Sequence, residues 1–85
     1  MSKSKPRQRM CSESELAALA KEFRAKAGVS KAEAARQLGV TRGTIQQAEE
    51  YPAVSLTKLR VRMIEAFSPF AVAGPMFLLQ KKAHR

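Results

Sequence analysis

Apolar side chains recur at spacings of three and four through most of the chain, and the breaks between these stripes mark out four short helices. Leu16, Leu19, Ala20, Phe23 and Ala27 fall on one face of the first. Ser12, with Glu15 three positions on, predicts a capping box at its start, and Gly28 stops it with a left-handed residue that closes the last carbonyls. A second box, Ser30 with Glu33, opens a helix through Leu38 that Gly39 closes. Thr41 caps a third helix, from Arg42 to about Glu50, whose inward residues are Ile45 and Ala48. Pro52 prevents its continuation. Ser55 or Thr57 then starts a fourth helix, in which Leu56, Leu59, Met63 and Phe67 align before Ser68-Pro69 ends it. No stretch before Pro69 alternates with the period of a half-buried strand, so the expected core is all-α. There is no internal repeat.

Length and composition narrow the chemistry. Eighty-five residues make one small domain, with little room for an enclosed catalytic cleft. The titratable inventory is seven Glu, no Asp, the single His84 and the single Cys11, which disfavours an acid–base pair, a metal cage or a Cys–His couple; the reading is neither enzyme nor metal or cofactor binder. One cysteine makes no internal disulfide and fits a reducing, cytoplasmic setting. The longest apolar run, Phe70 to Leu79, is too short and too interrupted to cross a bilayer, and no membrane is expected as partner.

Charge is the strongest bulk signal. Sixteen Lys and Arg give a net charge of +9, which favours polyanions as partners, nucleic acid first. The excess lies at the ends. Residues 1–10 carry +4 (Lys3, Lys5, Arg7, Arg9), residues 11–50 balance to zero, residues 51–67 carry +2 and residues 68–85 carry +3. Residues 1–11 read as a disordered basic arm, residues 12–68 as the folded domain and residues 69–85 as an apolar tail.

Only Gly39-Val40-Thr41 separates helices two and three, which forces a steep crossing. Ala35 is small where the two meet, Gly39 permits the turn, and Val40 plugs its inner side. The stretch from Gly28 to Glu49, and above all Leu38-Gly39-Val40-Thr41-Arg42 followed by Thr44-Ile45, resembles the lambda-repressor-like, Xre/Cro-type helix-turn-helix regulators. The resemblance runs from about Leu16 to Phe67. It implies a four-helix domain that binds double-stranded DNA, to which the apolar stretch after Pro69 is expected to add a short C-terminal strand or hook. Three places depart from the family: Lys31 stands where Gln is usual, the loop after Glu49 is short and holds Tyr51-Pro52, and the stretch Phe70–Leu79 replaces a fifth helix.

The resemblance makes helix 42–50 the recognition helix. A helix fits the major groove, and its N-terminal residues approach base edges. Arg42, Gly43, Thr44 and Gln47 are the expected base readers, Arg42 as a two-pronged donor to guanine and Gln47 as the matching partner of adenine. Lys31, Thr41, Gln46 and Arg36 are the expected phosphate contacts, and a solvated charge is the competing reading of Arg36. Arg24 and Glu49 stand where the family places an ion pair that fixes the tilt of the recognition helix.

The stretch Phe70–Leu79 is too apolar to be left in water. It either folds back onto Leu59, Met63 and Phe67, or pairs across a two-fold axis in a homodimer through Val72, Met76, Phe77 and Leu79; the dimer is the preferred reading. The expected function is that of a small prokaryotic or phage transcriptional repressor on an inverted repeat, cytoplasmic and nucleoid-associated. An autorepressing antitoxin bound to a toxin protein is the alternative, and an interaction adaptor without DNA binding is the alternative from another class.

Overall fold

A computed structural model describes residues 8–10, 12–73 and 78–81 of the chain. Four helices carry most of it: α1 (Glu13–Lys26), α2 (Lys31–Leu38), α3 (Arg42–Glu50) and α4 (Thr57–Phe67). Three short strands, β1 (Gln8–Met10), β2 (Phe70–Ala73) and β3 (Leu78–Lys81), form an antiparallel sheet in the order β1-β3-β2. The domain is small and mostly helical.

The helix boundaries follow local chemistry. Ser12 and Glu15 close a reciprocal capping box, their bonds measuring 2.8 and 3.2 Å. Ala27 is the C-cap of α1, and Gly28 follows at φ +73°. Ser30 accepts from the Glu33 amide at 3.0 Å, but Glu33 turns its carboxylate to Arg36 and Gln37, so the second box is only half formed. Gly39 ends α2 at φ +73°, a conformation that costs a residue with a Cβ about 1 kcal/mol or more. The fourth helix starts at Thr57, one of the two expected positions. Its N-cap is Leu56, with no side-chain cap, and the Thr57 hydroxyl donates to Glu13 on α1. Ser68 ends α4, its hydroxyl donating to the Ile64 carbonyl at 2.6 Å and accepting from the Phe70 amide at 3.1 Å.

The core forms where the predicted stripes meet. Leu16, Ala20, Ala34, Ile45, Ala48, Met63 and Ile64 are fully buried, with Phe23, Val40, Leu56 and Phe67 packed around them. Each large aliphatic group so buried contributes about 1.5–3 kcal/mol. Ala27 is exposed and takes no part, because the helix has already turned by its C-cap. Helix α1 lies against α4, and α3 packs on both.

Two expectations about the ends are corrected. Gln8–Met10, placed by the sequence in a disordered arm, is strand β1, paired with β3. Its three residues gain order from a partner some seventy positions away, which no local pattern shows. The tail folds back on its own domain. Leu79 is only 4% exposed and belongs to the chain's own core, Val72 packs beside it, and the Phe70 ring sits 5.7 Å from that of Phe23. The Val72 amide also donates to Glu65 on α4 at 2.9 Å. Leu79 is therefore already covered within one chain, as the fold-back reading required; Met76 and Phe77, the other expected dimer contacts, lie outside the described residues.

Candidate nucleic-acid interface

Helix α3 is set in place by its inner face and its C-terminal end. Thr41 caps the start, its hydroxyl accepting from the Thr44 amide at 3.1 Å and sharing a 2.8 Å hydrogen bond with the Thr44 hydroxyl. Ile45, Ala48 and Glu49 point inward. Arg42, Gly43 and Gln47 are exposed, Thr44 and Gln46 are half-buried, and Thr41 is exposed at the cap. No large apolar side chain stands on that outer face.

The last turn of α3 carries no basic residue of its own, although cations there would oppose the negative end of the helix dipole. Neighbouring helices supply them. Arg24 of α1 grips Glu49 with two nitrogens, Nη2 at 3.1 Å from Oε1 and Nε against Oε2, while Nη1 donates to the Val29 carbonyl at 2.7 Å. The Glu49 side chain is wholly buried and that of Arg24 is 12% exposed. Lys21 meets Glu50 at 2.8 Å on the surface. That contact, first by its hydrogen bond and then by its charge, lowers the Glu50 pKa and raises that of Lys21.

Arg60 completes the anchor, a role that the sequence pattern alone does not assign to it. It is fully buried on α4, donating from Nε to the Ala48 carbonyl at 2.8 Å, from Nη2 to the Tyr51 carbonyl at 2.8 Å and from Nη1 to Glu13 at 3.0 Å. The signal that could have found it is its place in the α4 pattern: position 60 lies on the same face as Leu56, Leu59, Met63 and Ile64, so a charge there has to find buried partners.

The remaining candidates are arranged around the free end of α3. Lys31, at the start of α2, donates to Gln46 Oε1 at 3.2 Å. An ammonium only donates, so the amide oxygen of Gln46 faces Lys31 and its NH2 group remains for another acceptor. Arg36 is exposed and lies against Glu33 of its own helix. Arg42 has no hydrogen bond or ion pair among the described residues, and neither does the Gln47 side chain. All seven glutamates, by contrast, are engaged: Glu13 by Arg60, Glu15 by the Ser12 amide, Glu22 by Lys26, Glu33 by Arg36, Glu49 by Arg24, Glu50 by Lys21 and Glu65 by the Val72 amide.

No protein-family model, curated protein or solved structure matches the chain. Among the described residues no three His, Cys, Asp or Glu side chains gather into a metal-binding group, and no helix is long and apolar enough to cross a membrane.

Proposed function

We propose that the chain is a sequence-specific double-stranded DNA-binding protein of the lambda-repressor-like helix-turn-helix type, acting as a small transcriptional repressor. One observation carries this reading. Helix α3 is clamped at its C-terminal end by Lys21, Arg24 and Arg60, while its N-terminal, electropositive end bears Arg42, Gly43 and Gln47 exposed and without competing carboxylates. A helix held so, with small and polar groups outward, suits the major groove. A protein-docking face would carry large apolar or aromatic anchors there.

In this reading Arg42 and Gln47 read base edges, with Thr44 and the backbone at Gly43 close to the groove. Lys31 and the Gln46 amide hold phosphates and fix the register. A single α3 reads few base pairs, so two copies bind an inverted repeat with half-sites roughly 34 Å apart.

The test compares variants on a selected binding site. Arg42→Ala and Gln47→Ala each lose preference at particular bases, at about 1–3 kcal/mol per bidentate contact. Lys31→Ala weakens all duplexes about equally. Unchanged base preference in both α3 variants would remove α3 from the interface.

A further inference from the structure

Two hydroxyl groups at the start of α3 are engaged with each other. Thr41 Oγ1 accepts from the Thr44 amide at 3.1 Å and lies 2.8 Å from Thr44 Oγ1, the length of a full O–H···O hydrogen bond. The Thr44 oxygen is therefore turned back toward the cap of its own helix. Threonine has a single side-chain torsion, held to a few staggered positions. Fixing the oxygen of Thr44 consequently fixes its γ-methyl as well.

The helix surface beside it is open. Gly43 carries no side chain, and a Cβ added there would meet only Thr41 Oγ1 at 3.9 Å. Gln47, three positions after Thr44 and so its neighbour on the helix surface, is exposed and has no hydrogen bond from its side chain among the described residues.

We propose that Thr44 reads thymine through its γ-methyl and not through its hydroxyl, next to the adenine that Gln47 takes. The proposal rests on the DNA-binding reading above and supplies the chemistry of one of its contacts. A free threonine hydroxyl both donates and accepts, so it suits several base edges and selects among them poorly. With that oxygen engaged by Thr41, the methyl is the group left to discriminate. Thymine is the one base that shows a methyl in the major groove, and an A·T pair presents it beside the adenine N6 and N7 that a glutamine recognises. Thr44 gives its hydroxyl hydrogen to Thr41. The hydrogen of Thr41, which is exposed at the cap, remains for a phosphate oxygen.

The experiment replaces each thymine of the selected duplex in turn by uracil, which removes the 5-methyl and keeps the base pairing. Binding of the full chain and of its Thr44→Val and Thr44→Ser variants is followed by fluorescence anisotropy. Valine keeps a methyl and loses the hydroxyl, serine does the reverse, and the backbone amide that donates to Thr41 is present in both. In the parent, uracil at one position per half-site lowers affinity about fourfold, the worth of one buried methyl group. Thr44→Val shows the same loss at the same position. Thr44→Ser binds the thymine duplex about fourfold more weakly per half-site and no longer distinguishes uracil there. A serine variant that behaves as the parent, with a valine variant weaker on every duplex, would assign the contact to the hydroxyl and overturn the proposal. So would uracil tolerated at every position of the parent's site, or a selected motif without thymine beside the adenine whose preference Gln47→Ala abolishes. If Arg42→Ala and Gln47→Ala still change base preference, those results overturn the Thr44 contact alone. If neither does, the α3 reading fails and this contact with it.

Discussion

The Nε of Arg60 donates to the carbonyl oxygen of Ala48 at 2.8 Å, so a fully buried cation on α4 holds the last turn of α3. The same guanidinium reaches Tyr51 and Glu13, which ties the loop after α3 and the start of α1 to one group. Its charge is tolerated in the interior because three acceptors replace the water it gave up.

Arg60→Met leaves those acceptors without their donor. Glu13 is solvent-accessible and rehydrates, so the expected cost is that of the orphaned carbonyls, about 1–3 kcal/mol, still a large part of the stability of so small a domain. Arg60→Lys recovers part of it, since an ammonium cannot span three acceptors in the guanidinium's planar geometry. Urea denaturation checks this through the midpoint at constant m-value; a Met variant with the parent's midpoint would show that the buried bonds are unimportant.

Arg24 and Glu49 form a bidentate pair whose carboxylate is wholly buried. Removing either partner alone leaves the other in an unmatched interior. In a double-mutant cycle Arg24→Ala and Glu49→Ala together cost less than the sum of the single changes, by about 1–3 kcal/mol. Strict additivity would mean that the pair does not position α3.

Gly43 separates stability from binding. An added Cβ would meet only the Thr41 hydroxyl at 3.9 Å, and the backbone there is ordinary helix. Gly43→Ala therefore raises stability by up to about 1 kcal/mol. It lowers affinity for duplex DNA if the glycine admits the groove floor to the backbone. Calorimetry and anisotropy on the same variant give both numbers, and a more stable protein with unaltered affinity would remove Gly43 from the contact surface.

The Lys21–Glu50 contact predicts a pH dependence of definite sign. The folded pKa of Glu50 is lowered from 4.5, so its contribution is present above that value and is lost as pH falls through the lowered one. The folded pKa of Lys21 is raised from 10.5, so its contribution is present below that value and is lost as pH rises through the raised one. Glu50→Gln is then slightly destabilising at pH 7, and its difference from the parent shrinks on acidification below 4.5. Thermal melts at pH 7 and pH 3 check it; a difference that grows in acid contradicts the assignment.

Much of the helical core is legible in the chain because it is local. Leu16, Ile45 and Met63 repeat at helical spacing, and Ser12, Gly39 and Thr41 carry their capping chemistry within three or four residues of the bonds they make. The Arg24–Glu49 contact is expected only through family resemblance, since nothing local joins positions 25 apart. Long-range features stay hidden for the same reason. Strand β1 is three residues without alternation, Thr57 finds Glu13 on another helix, and the place of Arg60 on the apolar face of α4 says that it is buried but not which three partners, on other parts of the chain, are brought beside it. The tail is apolar enough to demand cover but does not say whose; Leu79 finds it within its own chain.

Selection of bound fragments from a random pool of duplex DNA tests the central claim most directly. The account predicts one enriched motif, repeated with inverted symmetry, in which particular positions lose their preference when Arg42 or Gln47 becomes alanine. A pool that shows no enrichment, or a motif indifferent to both substitutions, would contradict it.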